Sequence, residues 1–245
     1  MGISTLFGTA RLQSIQVATS LLLVLAPTVT ACSSRSAPAD VAGDSAPVDL
    51  PGRPFDIQSP KCPPGMALVP FSAIYPPSSF CVDWYEASLN ALGKPVSVPG
   101  SIPWTGMTWK EAKAACESQG KRLCWFEELT AACAGPAGLK YPYGNTYNKT
   151  SCNTGEAGIG KLVPTGSIAT CEGGYPGLFD MSGNAFEWTL NCQIGAQKCK
   201  LSGGSYLTVV QTACGWPTSY WIQFDGNATN EYIGFRCCTD SISTE

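Results

Sequence analysis

The residues whose types and spacing most clearly indicate a binding site are two carboxylates, Asp180 and Glu187. They stand seven positions apart around a glycine turn. The segment between them is Met181-Ser182-Gly183-Asn184-Ala185-Phe186. Such a loop can direct carboxylate and carbonyl oxygens toward one hard cation, and Ca²⁺ accepts about 6–8 oxygen ligands. The pattern therefore indicates a calcium loop. The plainer alternative is that Glu187 caps a turn and that Asp180 is solvated.

The 13 cysteines and the absence of histidine in 245 residues narrow the chemistry of the chain. Without His, the chain has no Ser-His-Asp or Cys-His catalysis, no His-ligated zinc hydrolase site and no two-His-one-carboxylate iron site. No Cys-x-x-Cys pair exists to start a zinc knuckle, so disulfides formed in an oxidising compartment are the simpler interpretation. With 15 Lys+Arg against 18 Asp+Glu, we expect no nucleic-acid partner.

The N-terminus has the features of an export signal. Arg11 precedes a mostly apolar run, residues 15–31, that is too short and too interrupted for a transmembrane span. The run ends in Val29-Thr30-Ala31-Cys32, which resembles the bacterial lipobox; an ordinary secretory signal with an incidental Cys is the alternative. The lipobox implies that Cys32 is acylated and anchors the chain to a lipid membrane of the bacterial cell envelope. The protein would then face the periplasm or the exterior, at the outer membrane if the cell has one.

Composition divides the chain into four segments. We predict a signal peptide at 1–31, a lipidated Cys followed by a flexible Pro/Ala/Ser/Asp-rich tether at 32–60, one domain at 61–240, and a tail at 241–245.

Regular secondary structure is predicted to be sparse in the domain. Thr108 with Glu111 forms the capping-box pattern of a helix that Gly120 ends, and a second helix is predicted from about Trp125 to Cys133. The apolar faces of these helices hold Ala112, Ala115 and Cys116 in the first, and Leu129, Ala132 and Cys133 in the second. Short strands are expected at 65–70, 80–86 and 202–208, and long loops at 141–177 and 214–232.

Eight motifs follow one another through this domain: FCVDWYE (80–86), PWTGMTW (103–109), GKRL (120–123), YPYGN (141–145), PTGS (164–167), GLFDMSGNAFEWT (177–189), GGSY (203–206) and GFRC (234–237). In this order they resemble the sulfatase-modifying-factor family, whose founding member is the formylglycine-generating enzyme. The resemblance implies an α+β, C-type-lectin-like fold with little regular secondary structure and many disulfides.

This chain lacks the two metal-binding cysteines that the activity implied by the resemblance requires. Formylglycine-generating enzymes oxidise a substrate cysteine with O₂ and copper(I) held by two thiolates, at the second and seventh positions after the Gly-Gly-Ser-aromatic stretch. In this chain those positions are Thr208 and Ala213, whereas Cu(I) prefers soft sulfur ligands. We therefore expect neither catalytic residues nor copper. The alternative is a formylglycine-generating-type oxidoreductase acting on cysteines of exported proteins, with Cys214 and a displaced second thiol as ligands.

The resemblance also implies a set of disulfides. Cys116 would pair with Cys237, and Cys133 with Cys214. Local pairs would join Cys62 to Cys81, Cys152 to Cys171 and Cys192 to Cys199, which leaves Cys124 for Cys238.

For the calcium loop, the resemblance implies side-chain ligands at Asp180 and Glu187 and backbone oxygens at Gly183 and Ala185. A second calcium site of the family would begin at Asn153, but its distal Asp has no counterpart here, and we do not predict it.

Large aromatic residues cluster in the loop at 214–232. They either line a ligand groove together with Ser205 or cover the disulfides; the groove residues would be Ser205, Trp216, Tyr220, Trp221 and Phe224. The favoured function is a non-catalytic, calcium-stabilised binding module on a membrane-anchored lipoprotein. Its ligand would be a protein, a peptide or a glycan.

Overall fold

The computed structural model describes residues 61–70, 79–193, 198–215 and 223–242. The predicted signal peptide, Cys32 and the tether lie outside these ranges, as do Trp216, Tyr220 and Trp221. Among the described helices, none has the length and apolar character needed to cross a membrane.

Short strands dominate the described part of the chain, and two helices pack beside them. In chain order the elements are β1 (Met66–Val69), β2 (Phe80–Asp83), β3 (Ser88–Leu89), β4 (Pro95–Val96), α1 (Trp109–Glu117), β5 (Arg122–Leu123), α2 (Phe126–Ala134), β6 (Phe186–Gln193), β7 (Lys198–Ser202), β8 (Gln223–Asp225), β9 (Ile233–Phe235) and β10 (Cys237–Asp240).

The first sheet has the strand order β1-β2-β10-β5, and all its neighbours are antiparallel. The C-terminal strand β10 therefore lies inside the sheet. Beyond the end of β10, an isolated antiparallel bridge joins Ile242 to Lys61, the first described residue.

The second sheet has the order β8-β7-β6-β9, with β6 and β9 parallel. Strand β6, one of its two inner strands, carries Trp188, which is fully buried and donates its indole N–H to the carbonyl of Met107 at 3.1 Å. Strands β3 and β4 form a separate hairpin.

Both predicted helices are confirmed. The hydroxyl of Thr108 accepts a hydrogen bond from the N–H of Glu111, and the backbone N–H of Thr108 donates to the Glu111 carboxylate, which completes the capping box of α1. The predicted face of Ala112, Ala115 and Cys116 is buried. Helix α2 begins at Phe126, and its face of Leu129, Ala132 and Cys133 is buried.

The strand predictions succeed at the beginning of the domain and fail near its end. The expected strands at 65–70 and 80–86 correspond to β1 and β2. The expected strand at 202–208 is wrong, because β7 ends at Ser202 and the next two residues, Gly203 and Gly204, take positive φ angles of 84° and 80°. Such angles turn the chain away from the sheet.

Six disulfides hold the elements together, and they are the six pairs that the resemblance implies. Successive side chains of a strand point to opposite faces, so the adjacent Cys237 and Cys238 of β10 serve two different layers. Cys237 joins Cys116 of α1 in one hydrophobic core, and Cys238 joins Cys124 in the other. Strand β10 is thus fastened on both faces.

These two long-range disulfides should be partly redundant. They span 121 and 114 residues, yet either one already brings the ends of the other close together, because Cys116 and Cys124 are near in sequence and Cys237 and Cys238 are adjacent. When one bridge is already present, the other closes only a small loop in the unfolded chain and adds about 2.5 kcal/mol to the free energy of unfolding. The first bridge to form closes a long loop and adds about 5 kcal/mol. We expect the quadruple Ala variant to lose about 2 kcal/mol more than the sum of the C116A/C237A and C124A/C238A losses.

The measurement is the free energy of unfolding in denaturant for the four proteins of this cycle. The matched control combines C116A/C237A with C62A/C81A, whose loops do not overlap, and it should be additive. Additivity in the first cycle as well would contradict the redundancy.

Candidate metal centre around Asp180 and Glu187

The loop that carries the two predicted carboxylates lies just before and at the start of β6, and its backbone conformation is unusual. Asp180 and Asn184 both adopt left-handed conformations, with φ of 59° and 58°. Asp and Asn tolerate this region better than other non-glycine residues. Gly183, at φ 88°, cannot be replaced by a residue with a side chain, because a Cβ atom there would lie 2.4 Å from the carbonyl oxygen of Asn153. The predicted glycine turn is therefore a steric requirement.

Asp180 is buried, with 1% of its surface exposed, so the alternative of a solvated side chain is wrong. Its Oδ2 atom accepts a hydrogen bond from the backbone N–H of Gly166 at 2.8 Å. Its Oδ1 atom is buried and has no hydrogen-bond partner among the described residues. A buried carboxylate oxygen without a partner is costly unless something else neutralises it.

Glu187 is also buried, and it pairs with a buried arginine rather than capping a turn. Its Oε1 atom accepts a hydrogen bond from Nε of Arg236 at 2.9 Å, and Arg236 is 0% exposed. The other guanidinium N–H groups donate to the backbone carbonyls of Asp83, Trp84 and Phe179 at 2.8–3.1 Å.

Two further polar residues, Glu86 and Asn184, complete this buried region, and no role was predicted for either. Glu86 accepts hydrogen bonds from the backbone N–H of Ala185 at 2.9 Å and from the side-chain amide of Asn184 at 2.6 Å. The side-chain oxygen of Asn184 in turn accepts from the amide of Asn153 and from the N–H of Val163, both at 3.0 Å. Glu86 lies three residues beyond the end of β2, and no local sequence pattern marks it, because its partners are distant in the chain.

The electrostatics of the cluster are dominated by desolvation. Burial raises the pKa values of Asp83, Asp180 and Glu187 above those of ordinary carboxyl groups. Burial, followed by the negative charges of Asp180 and Glu187, holds the pKa of Glu86 well above its ordinary value of 4.5. Arg236 opposes these shifts at all four carboxylates.

The buried charges do not balance when all the carboxyl groups are ionised. Four carboxylates, those of Asp83, Glu86, Asp180 and Glu187, face Arg236 and the ammonium group of Lys121, which pairs with Asp83. The excess negative charge and the unpaired Oδ1 of Asp180 both fit a hard divalent cation bound by oxygen atoms. The predicted side-chain ligands Asp180 and Glu187 are near enough that the charge of Asp180 contributes to the raised pKa of Glu187, after burial and despite Arg236. Gly183 and Ala185 lie in the same loop.

The two positions at which the family resemblance implies copper-binding cysteines are occupied by Thr208 and Ala213, and neither residue has a thiol group. Thr208 is half-buried, and its hydroxyl oxygen accepts a hydrogen bond from the N–H of Ser205 at 2.9 Å. The methyl side chain of Ala213 has no atom that can bind a metal ion. Cys214 is bonded to Cys133, and all twelve cysteines in the part of the chain that the structure describes are in disulfides.

The described part of the predicted ligand groove does not form an open surface. Ser205 is fully buried, and its hydroxyl lies 3.3 Å from the N–H of Leu207. Phe224 is half-buried in β8 and packs against the core that contains Trp188. Both side chains therefore contribute to packing, since neighbouring elements cover them. The other three groove residues, Trp216, Tyr220 and Trp221, lie outside the described ranges.

Curated proteins that match this chain include ones named formylglycine-generating enzyme and inactive C-alpha-formylglycine-generating enzyme 2. The inactive C-alpha-formylglycine-generating enzyme 2 of Mus musculus is 26% identical over 182 residues, which cover 65% of this chain and 58% of that protein. The formylglycine-generating enzyme of Bos taurus is 26% identical over 58% of this chain and 45% of its own length. The serine/threonine-protein kinase pkn1 of Chlamydia pneumoniae is 35% identical over 59% of this chain and 25% of its own length. The match thus spans about half, or less, of these relatives.

Solved structures show the same fold. Treponema denticola variable protein 1 superposes with a TM-score of 0.55 at 16% identity, over 66% of this chain and 85% of that one. CarF superposes with a TM-score of 0.51 at 18% identity, over 67% and 87%. The expected α+β, C-type-lectin-like fold with few helices and many disulfides is confirmed.

The family model for the sulfatase-modifying factor enzyme 1-like domain matches residues 81–241, nearly the whole described domain. The match agrees with the motif order, the disulfide pairs and the superpositions, and the chain belongs to the sulfatase-modifying factor family.

Proposed function

We propose that this protein is a non-catalytic binding module, stabilised by calcium and held on a bacterial membrane by a lipidated cysteine. The observation that carries the non-catalytic part is the pair Thr208 and Ala213 at the copper-ligand positions. Hydroxyl oxygen is a hard ligand and a methyl group is none, so neither residue provides the soft sulfur that Cu(I) prefers.

The disulfides support the same conclusion. Cysteine acts as a metal ligand or a nucleophile only as a thiolate. Cys214 is the cysteine nearest to the family position, and its bond to Cys133 removes that thiolate. The inactive formylglycine-generating enzyme 2 of the mouse is a relative whose name records the loss of this activity on a related domain.

The location outside the cytoplasm is supported by the six disulfides, because such bonds persist in oxidising compartments. The lipobox-like residues before Cys32 support the anchor. In this proposal, the acyl chains of Cys32 hold the protein on the membrane, and the residues before Lys61 act as the tether.

Calcium would be held by the carboxylates of Asp180 and Glu187 and by backbone oxygens of Gly183 and Ala185. The ion supplies positive charge to a buried region that lacks it, and it plays a structural part. Asp180 would use its unpaired Oδ1, while its Oδ2 stays with Gly166. The loop would thereby be fixed against β6.

The oxidase alternative gives the first test. After alkylation of the folded, unreduced protein, mass spectrometry should find no modified cysteine in the domain. The protein supplied with Cu(I), O₂ and a cysteine peptide should form no formylglycine, because it lacks the two thiolates that bind the metal. An active formylglycine-generating enzyme, assayed in parallel, is the control. Alkylation of Cys214 and one other cysteine, together with aldehyde formation on the peptide, would establish the oxidase instead.

The second test is stabilisation by calcium. The melting temperature should rise when Ca²⁺ replaces a chelator, by an amount equivalent to about 2.7 kcal/mol at a hundredfold excess over Kd. Asp180→Asn should lose most of this rise, because it removes the charge while keeping a residue that tolerates the left-handed backbone. Glu231→Gln, at an exposed position, is the matched control and should keep the full rise. An equal calcium response in D180N and in the unmodified protein would refute the site.

The third test is the pH dependence of stability in chelator. The folded-state pKa values of Glu86, Asp180 and Glu187 are raised by burial, so folding binds protons at these groups. Their contribution to stability is present at low pH and is lost as the pH rises through the folded-state values. We expect the calcium-free protein to melt at a higher temperature near pH 5 than near pH 8. Because Ca²⁺ competes with these protons, its stabilising effect should grow over the same interval.

Thermal melts at several pH values, with calcium and with chelator, measure both trends. D180N should show a shallower slope in chelator, since it removes one of the titrating groups. A calcium effect that is independent of pH would show that these carboxyl groups do not release protons on binding.

A further inference from the structure

A surface cavity that is largely open to solvent lies outside the calcium loop. It has a volume of about 750 Å³ and is lined by Tyr143, Thr146, Tyr147, Asn148, Lys149, Ser151 and Thr170. This volume lies within the range of about 300–1,000 Å³ that is typical of small-molecule sites. None of these residues belongs to the calcium loop or to the copper-ligand positions.

Two half-exposed tyrosine rings provide the flat part of the lining, and a third, buried tyrosine holds them in place. Tyr143 stacks on the buried Tyr141 with ring centres 5.5 Å apart and planes 6° apart. Tyr147 contacts the same ring at 5.5 Å and 51°. Tyr141 itself is fixed by a hydrogen bond from its hydroxyl to Gln211 at 2.9 Å. Because stacking covers one face of Tyr143, the exposed part of that ring belongs to its other face and its edge.

The polar part of the lining is fixed as well. The phenol of Tyr147 hydrogen-bonds to the carboxylate of Glu156, and the phenol of Tyr143 donates to the carbonyl of Asn148 at 3.3 Å. Thr170 donates its hydroxyl proton to the carbonyl of Ser151 at 2.9 Å. Both of these residues adjoin the Cys152–Cys171 disulfide, which joins the two segments of the wall covalently. Because these side chains are already held in place, they lose little conformational entropy when a ligand binds.

Some polar groups at the cavity remain available to a ligand. Within the described residues, the side chains of Thr146 and Lys149 make no hydrogen bond or ion pair, and both are exposed. Lys149 is the one charged residue that lines the cavity; of its neighbours, Glu156 bonds to Tyr147, and the ammonium group of Lys140 lies 5.4 Å from the centre of the Tyr141 ring. This near-neutral balance does not suit a polyanion.

Tyrosine faces beside hydroxyl, amide and ammonium groups complement a pyranose ring. Such a ring has an apolar face of C–H groups and a rim of hydroxyl groups, and tyrosine offers an apolar face with a polar tip. An extended peptide that adds a strand to a sheet needs a strand edge. None of the lining residues belongs to a strand of the described structure.

We propose that the cavity lined by Tyr143, Tyr147, Thr146, Asn148 and Lys149 binds an uncharged pyranose-containing glycan. The inference rests on the proposed binding role and gives it a ligand class; none of the lining residues belongs to the segment 214–232. It requires neither calcium nor the lipid anchor.

The test is calorimetric titration of the full chain in detergent with mono- and oligosaccharides of glucose and of N-acetylglucosamine. At least one of these sugars should bind, and Tyr143→Leu should weaken its binding up to about tenfold, which corresponds to the loss of about 1.4 kcal/mol of ring contact. Thr146→Trp, at an exposed position, should block the cavity without removing any packing and should abolish binding even where the Tyr143 variant folds poorly. Tyr175→Leu, a half-buried tyrosine outside the cavity, is the matched control and should bind as the unmodified protein does.

Three outcomes would overturn the inference. They are the absence of binding to every sugar, sugar binding that T146W leaves unchanged, and binding of a polyproline peptide in place of the sugars, since aromatic grooves also accept polyproline helices. The calcium response and the thiol count on the same samples separate this failure from that of the proposed function. If the cysteines are all bonded and calcium stabilises the protein while no sugar binds, only the glycan inference fails. If free thiols and aldehyde formation appear, the non-catalytic role fails whatever the sugars do.

Discussion

The structure depends on one buried guanidinium group. Arg236 stands between β9 of the second sheet and β10 of the first, and no part of it is exposed. Its hydrogen bonds reach the end of β2, the carbonyl of Phe179 just before Asp180, and Glu187 in β6. A buried arginine is tolerated only when its donors are matched, and removing one member of such a pair typically destabilises a protein by about 3–5 kcal/mol. The positions of both sheets and of the acidic loop are therefore set by the same side chain.

Local signals in the sequence predicted the helices, because capping boxes and apolar faces act over a few residues. The capping role of Thr108 and the buried face of Leu129, Ala132 and Cys133 follow from such patterns. The six disulfide pairs came from the family resemblance, since spacing alone does not specify connectivity. Strand β6 was not predicted, because its first two residues, Phe186 and Glu187, also belong to the pattern that suggests a metal loop. In addition, its partner β9 is parallel to it and distant in the chain. Glu86 and Arg236 acquire their importance only from tertiary contacts between segments about 50–150 residues apart, which no local pattern reports.

The carboxylate loop and the pair Thr208 and Ala213 differ in how the fold uses them. Asp180 and Glu187 are buried among hydrogen bonds that reach both sheets, so changing them disturbs the core. Thr208 and Ala213 lie after the Gly203-Gly204 turn, outside every strand, and the Thr208 hydroxyl closes a local turn with Ser205. Neither residue belongs to either of the two hydrophobic cores. A scaffold of this kind can retain its architecture after losing a chemistry, because function resides in the site and not in the fold.

The central place of β10 in the first sheet also bears on how the chain is made. A ribosome releases this strand last among the described elements, yet β2 and β5 both need it as a neighbour, and two disulfides and Arg236 arrive with it or just before it. A chain without β10 leaves β2 and β5 without their shared neighbour and lacks Cys237 and Cys238, which belong to the two cores. Pairing of this kind between distant segments is slow and leaves intermediates open to aggregation. A chain cut short by a premature stop codon before Arg236 would therefore lose the whole domain rather than its last strand.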